Sequence, residues 1–299
     1  MTTTTTTTTF TTFTAKDVQE LRQRTGAGMM ECKKALEETK GNIETAIELL
    51  RKKGIAKAEK RAGRAASEGK IVSRVSPDGK SASLVEVNSE TDFVSRNESF
   101  GKLVERIADT LLNDASTNEI VTKADGAALL AKPMGGSTVD GAIKELSGTI
   151  GENLVVKRYA RFSSDGALGS YVHHNGKVAV LVDVVGGSGE AVQQLARTVA
   201  EHIAAGVPTV PAAVDRDDVP KELVDRERRI FTEQAAESGK PANIIEKMVG
   251  GRIEKFYKEV TLVDQPWVRD DSKTIRDIVA AAGAGLKIRR FARFQMGQE

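Results

Sequence analysis

Gly69–Asn88, GKIVSRVSPDGKSASLVEVN, aligns without a gap on Gly166–Val185, GALGSYVHHNGKVAVLVDVV. Each stretch reads as a strand, a turn at Asp78-Gly79 or Asn175-Gly176, and a second strand with alternating apolar residues. Asp-Gly and Asn-Gly between apolar runs signal a hairpin, because such pairs tolerate the positive φ angles of a tight turn. A helical pattern follows each hairpin: Phe100, Leu103, Val104, Ile107 and Leu111 in the first copy, and Val192, Leu195, Ala196, Val199 and Ile203 in the second. The hairpins are 97 residues apart, whereas Leu103 aligns with Leu195 and Ile107 with Val199 at a spacing of 92. The first copy therefore carries five extra residues between strand and helix. Hairpins with helices on one face predict an α+β fold with a duplicated core of antiparallel sheet plus helix.

Outside the duplication the pattern is helical. Thr14 and Asp17 form a capping-box start, Val18 and Leu21 give an apolar face, and the first helix stops near Gly26. A second helix runs from about Met29 to Lys40 with Cys32, Ala35 and Leu36 inward. Asn42 caps a third, carrying Ile43, Ile47 and Leu50 and ending before Gly54. Residues 14–54 thus predict a three-helix bundle, and the Ala-rich basic stretch 55–67 a linker that is helical or flexible. The core divides into an N-subdomain at 68–152 and a C-subdomain at 153–299. Further strand candidates are Asn153–Phe162, Val260–Val263 and Lys287–Phe294. An antiparallel helical hairpin is inserted at about 216–260, with apolar seams at Leu223 and Ile230 and at Ile245, Met248, Ile253 and Phe256 around Ser238-Gly239-Lys240. Residues 1–13 are a Thr-rich tail without arginine, read as disordered rather than as a targeting signal.

Composition narrows the function. In 299 residues, 44 Lys and Arg balance 42 Asp and Glu, which disfavours a surface built along a phosphate backbone. A single cysteine, Cys32, excludes an internal disulfide and points to a reducing, cytoplasmic compartment. No apolar run reaches the ~20 residues needed to cross a bilayer. No catalytic or metal-binding spacing is found, so neither an enzyme, nor a cofactor, nor a bound metal is expected. Adjacent His173 and His174 on a strand would point to opposite faces, a poor start for one metal site. Gly186-Gly187-Ser188-Gly189 sits like a phosphate cradle, but Glu190 would repel phosphate at the helix start.

The five-residue difference singles out Ser89–Glu98, SETDFVSRNE. Ser95 and Glu98 read as a capping box, which leaves Asp92, Phe93 and Val94 on a loop ahead of the helix. One aromatic beside one carboxylate on a polar loop is an interface anchor: an apolar plug with a charge to orient it. The alternative is an earlier helix start at Ser89, with Phe93 in the core on the row of Phe100 and Ile107.

The stretch Val18–Leu36, VQELRQRTGAGMMECKKAL, resembles the first module of the bacterial elongation factor Ts family. Thr91-Asp92-Phe93-Val94 matches that family's Thr-Asp-Phe-Val motif, and the hairpin through Ser238-Gly239-Lys240-Pro241 to Lys247-Met248-Val249 is similar to its coiled-coil arm. The resemblance, from about Ala15 to Gly297, implies a ubiquitin-associated-like N-terminal bundle and a guanine-nucleotide exchange factor for elongation factor Tu. It implies that Thr91–Val94 intrudes beside the GTPase's magnesium ion, with Phe93 as wedge and Asp92 assisting. Arg22, Met29 and Met30 would grip the nucleotide-binding domain, and the hairpin at His173 and His174 another domain of the partner. The helical hairpin is a candidate dimerisation surface. A C-terminal helical module found in familiar members is not expected after Gly297-Gln298-Glu299. The competing reading is an RNA- or ribosome-associated protein using the basic linker, with Lys57, Lys60 and Arg61 on phosphates.

Overall fold

The computed structural model of the protein describes residues 13–121, 127–237 and 239–298. The threonine tract at 1–12, residues 122–126, Ser238 and Glu299 lie outside the described residues. In chain order come α1 (Ala15–Thr25), α2 (Met29–Glu38), α3 (Ile43–Glu59), β1 (Glu68–Val75), β2 (Ser81–Ser89), α4 (Asp92–Ser95), α5 (Glu98–Leu112) and β3 (Ile120–Val121). Next are α6 (Ala127–Leu130), β4 (Pro133–Met134), β5 (Ser137–Thr138), α7 (Val139–Ile150), β6 (Val155–Ser163), β7 (Ala167–Val172), β8 (Val178–Val185) and α8 (Glu190–Ala205). The chain finishes with α9 (Lys221–Ala236), α10 (Ala242–Val260), β9 (Pro266–Trp267), β10 (Asp270–Thr274), α11 (Ile275–Ala282) and β11 (Lys287–Gln295). The mixture of helix and antiparallel sheet is the expected α+β class.

By contact the chain falls into two compact units. The first holds the described residues up to Gly69, with Val87–Leu103 and Ala127–Val155. Its helices α1, α2 and α3 enclose Val18, Leu21, Cys32, Ala35, Leu36 and Ala46. The capping box at Thr14 and Asp17 forms, and Gly26 closes α1 at φ 68°. Burial pushes the Cys32 thiol pKa up, consistent with a core residue rather than a nucleophile. The third helix does not end before Gly54 but runs on to Glu59. The reason is packing. A methyl group on Gly148 of α7 would sit 2.6 Å from the Gly54 Cα, so this pair of glycines lets α3 and α7 cross backbone to backbone.

The second unit holds Lys70–Glu86, Val104–Gly126 and Val156–Glu299, as far as these are described. Its larger sheets are ordered β1-β2-β6-β3 and β11-β8-β7, beside the two-stranded β10-β9. Strand β8 is buried on both faces: Val180, Val182 and Val184 pack with Leu195, Val199 and Ile203 of α8, while Ala179 and Leu181, on the face that also carries Asp183, join Leu84, Phe162 and Phe294. In both hairpin turns only the glycine has positive φ (Gly79 67°, Gly176 68°). The preceding residue serves differently from expectation: Asp78 Oδ1 accepts from Lys80 N, and Asn175 Oδ1 from Lys177 N.

A second repeat, hidden by the spacings of 97 and 92, closes the two halves. Arg158-Tyr159-Ala160-Arg161-Phe162 in β6 is echoed by Arg290-Phe291-Ala292-Arg293-Phe294 in β11. The contacts are reciprocal. Arg158 bonds Glu86 at 2.7 Å, lies over the Phe294 ring at 4.6 Å and donates to the Gln295 carbonyl. Arg290 bonds Asp183 at 3.1 Å, lies over the Phe162 ring at 4.1 Å and donates to the Ser163 carbonyl. Glu86 and Asp183 are themselves equivalent in the duplication. The backbone repeats the exchange, with Ile71 N on Gly176 O and Leu168 N on Gly79 O. These swapped pairs describe a pseudo-twofold that the hairpins alone do not specify.

Two other expectations need correcting. Val260–Val263 is not a strand: α10 continues to Val260, and Leu262–Asp264 is a 3₁₀ turn. In the helical hairpin the seam on α9 is Phe231 and Ala235, facing Ile245, Val249 and Ile253, whereas Ile230 is exposed. An apolar residue one position off the seam is rotated by ~100° on a helix and leaves the interface.

Candidate functional site

Where the second copy joins strand to helix through Gly186–Gly189, the first builds a separate helical turn. Ser89 Oγ, at the end of β2, donates to the Thr91 carbonyl. Thr91 is the N-cap of α4 yet makes no side-chain cap bond within the turn. Its backbone N–H and hydroxyl instead donate to the two carboxylate oxygens of Glu152, at 3.0 and 2.5 Å. Ser95 Oγ closes the turn on the Asp92 carbonyl at 2.7 Å. The expected Ser95–Glu98 capping box is replaced: Asn97 Oδ1 accepts from Ser99 N and Phe100 N and starts α5.

This local helix sorts the motif's side chains. Successive residues on a helix differ by ~100°, so in a single four-residue turn with one covered side the two neighbours can part company. Val94 is buried, and Phe93 is 82% exposed. The reading of Phe93 as a core residue is therefore overturned, and Val94 moves from loop tip to anchor. Asp92 pairs with Arg96 at 2.9 Å, an exposed i,i+4 contact worth only ~0.3–0.5 kcal/mol, which leaves the carboxylate available to another cation. Glu90, just ahead of the turn, accepts from Asn153 N at 2.7 Å.

The same unit carries Arg22 on the last turn of α1 and Met29 and Met30 on the first turn of α2, all exposed (Met30 63%). Adjacent exposed methionines offer soft apolar contact beside a cation. His173 and His174 belong to the other unit. They lie in the turn after β7 rather than on a strand, so their rings approach to 4.2 Å instead of diverging. The Tyr171 hydroxyl reaches His173 Nδ1 at 3.2 Å. Among the described residues no group of three or more His, Cys, Asp or Glu could hold a metal ion.

Two other candidates are the basic linker and the glycine-rich connection of the second copy. Lys57 pairs with Glu31, Arg61 donates to the Ser147 carbonyl and Arg64 reaches Glu90 at 3.5 Å, while Lys60 is exposed; the two ion pairs are themselves exposed and hold their cations only weakly. At the Gly186 cradle, a Cβ would stand 2.1 Å from the Gly285 carbonyl oxygen, so the chain's own backbone fills the space a phosphate would need. Among the described residues no helix is long and apolar enough to cross a membrane. Glu152 gave no signal in the sequence, being 61 positions from Thr91; Asn97, two residues before the first bonded amide, was legible as a cap.

Residues 90–298 match the family model described as elongation factor TS. The chain is 50% identical over 286 residues to elongation factor Ts of Thioalkalivibrio sulfidiphilus, covering 95% of this chain and 92% of the relative. It is 48% identical to that of Methylococcus capsulatus, over 94% and 91% of the two chains. With elongation factor Ts of Aquifex aeolicus the identity is 44%, over 94% and 97%.

Proposed function

The chain belongs to the elongation factor Ts family, and from that membership we propose that it is a guanine-nucleotide exchange factor for elongation factor Tu, acting in the cytosol without covalent chemistry of its own. The observation that carries the reading is Phe93, an aromatic ring 82% exposed on a turn that is clamped rather than loose. An exposed ring gains little in the free protein and much when a partner buries it.

In this reading the Thr91–Val94 turn enters beside the GTPase's magnesium site. Phe93 wedges between partner side chains while Asp92 exchanges Arg96 for a partner group. Magnesium demands near-ideal octahedral geometry, so a small displacement of its ligands weakens the hold on the β-phosphate. Linkage then applies: a factor that binds the empty GTPase more tightly than the loaded one lowers nucleotide affinity by the same ratio. Arg22, Met29 and Met30 contribute a second contact to the nucleotide-binding domain, and His173 and His174 a third to another domain.

The test is release of a fluorescent GDP analogue from elongation factor Tu, chased with excess GDP. A saturable acceleration by this protein is expected; unchanged release at every concentration sinks the reading. Chelating the magnesium with EDTA should speed basal release and shrink the factor's fold-acceleration. An undiminished acceleration in EDTA would leave exchange standing and overturn the magnesium route.

A further inference from the structure

The turn that presents Phe93 lacks the local means to hold itself. A four-residue helix leaves most of its amide donors without partners inside the turn. A capping box would satisfy the N-cap amide with a carboxylate three residues on. Here that position is Val94, whose burial is what directs Phe93 outward. Anchor and capping carboxylate compete for one residue, and the anchor occupies it.

We propose that Glu152 is the positioning residue of the exchange site, supplying from a distant segment the carboxylate that the turn cannot supply itself. This rests on the exchange reading above and deepens it. Both Glu152 oxygens are used, one on the Thr91 amide and one on the Thr91 hydroxyl, which fixes the direction in which the turn leaves β2. Glu152 is held from behind: α7 ends at Gly151 with φ 91°, and the Glu152 carbonyl accepts from the Ser147 hydroxyl at 2.5 Å. Asn153 adds a second hold. Its amide N–H donates to Glu90 at 2.7 Å and its side chain donates to the Arg64 carbonyl at 2.8 Å. The dipeptide Glu152-Asn153 therefore grips the chain on both sides, the motif turn through residues 90–91 and the segment after α3 through residue 64. A wedge acts on its partner only if its base resists the reaction force, and a site displaced by an ångström can lose about a hundredfold in rate.

The experiment measures GDP release from elongation factor Tu with wild-type protein, Glu152→Gln, Glu152→Ala, Phe93→Ala and the Glu152→Ala/Phe93→Ala double variant. Concentration series separate the maximal release rate from the half-saturating concentration. Glu152→Ala should lower the maximal rate at least tenfold, and Glu152→Gln, which keeps one acceptor, should fall between it and wild type. In the Phe93→Ala background Glu152→Ala should change the rate less than twofold, because there is no ring left to aim. Amide hydrogen exchange at Thr91 should quicken in Glu152→Ala while the core amides of α2, in the same unit, stay protected.

A wild-type maximal rate in Glu152→Ala overturns the positioning role. So does a full-sized effect persisting in the Phe93→Ala background, or protection lost across the whole unit, each of which marks Glu152 as a structural residue only. Failure of the wild-type protein to accelerate release overturns the parent reading instead, and is seen before any variant is compared.

Discussion

The two copies share their scaffold and differ where strand passes into helix. In each, an arginine on the closing strand bonds a buried carboxylate of the hairpin and lies over the other closing strand's phenylalanine. The second copy then connects through Gly186, which at φ 90° backs onto the Gly285 carbonyl. In the first copy the corresponding residue is Ser89, and the chain turns outward into α4 to carry Phe93. Paired scaffolds tolerate an elaborated connection in one copy because the reciprocal contacts all lie outside it. The lesson is that the difference between repeats, not their likeness, locates the working surface.

Removing each arginine in turn tests the scaffold that the copies share. Arg158 is 5% exposed and Glu86 1%, so Arg158→Ala should cost about 3–5 kcal/mol in urea unfolding, as for breaking a buried ion pair. Arg290 is 30% exposed, and Asp183 keeps Arg289 and Ser164, so Arg290→Ala should cost about 1–3 kcal/mol. Equal losses would mean that the two sites are energetically equivalent despite their different exposure.

Phe93→Ala tests the connection in which the copies differ. Truncating an interface anchor costs about 2 kcal/mol or more, which is roughly a 30-fold fall in exchange efficiency. Stability should move by less than ~0.5 kcal/mol, since the ring is 82% exposed. A large drop in Tm with normal GDP release would contradict both halves of that statement. In the second copy, Gly186→Ala places a methyl against the Gly285 carbonyl in a left-handed conformation and should cost about 1–3 kcal/mol of stability. A silent Gly186→Ala variant would show that the short connection is not constrained as described.

The smallest effect concerns pH. His202 in α8 corresponds to Thr110 in α5, so only the second copy titrates at this position. Burial lowers the His202 pKa, against a smaller upward pull from the Gln265 bond at 2.9 Å, while Nδ1 accepts from Val268 N. The folded pKa lies below the unfolded value of about 6.5, so the unfolded chain takes up the proton first. The stabilisation is complete above about pH 6.5 and is lost as pH falls towards the folded pKa. Urea unfolding at pH 7.5 and 5.5 should show a smaller acid loss in His202→Gln than in wild type, and an identical loss would assign the pH effect to other groups.

Much of this was legible because the signals are local. The capping box at Thr14, the positive φ at Gly79 and Gly176, and the apolar rows of α5 and α8 each follow from residues within a few positions of one another. Other features depend on partners far along the chain. Gly54 reads as a helix end, yet it is the place where α3 meets Gly148. Ile230 fits a heptad as well as Phe231 does, and only the facing helix decides between them.

Pattern along the chain is enough to show a duplicated α+β core, with five extra residues before the first copy's helix and an Asp-Phe pair within that stretch. The direction in which the pair faces comes from packing between distant segments. Val94 turns inward and Glu152 closes on Thr91 from 61 positions away, so Phe93 stands in solvent. Periodicity fixes the angle between neighbouring side chains, but whichever of them finds a cavity sets the absolute direction, and that cavity is made by segments distant in sequence.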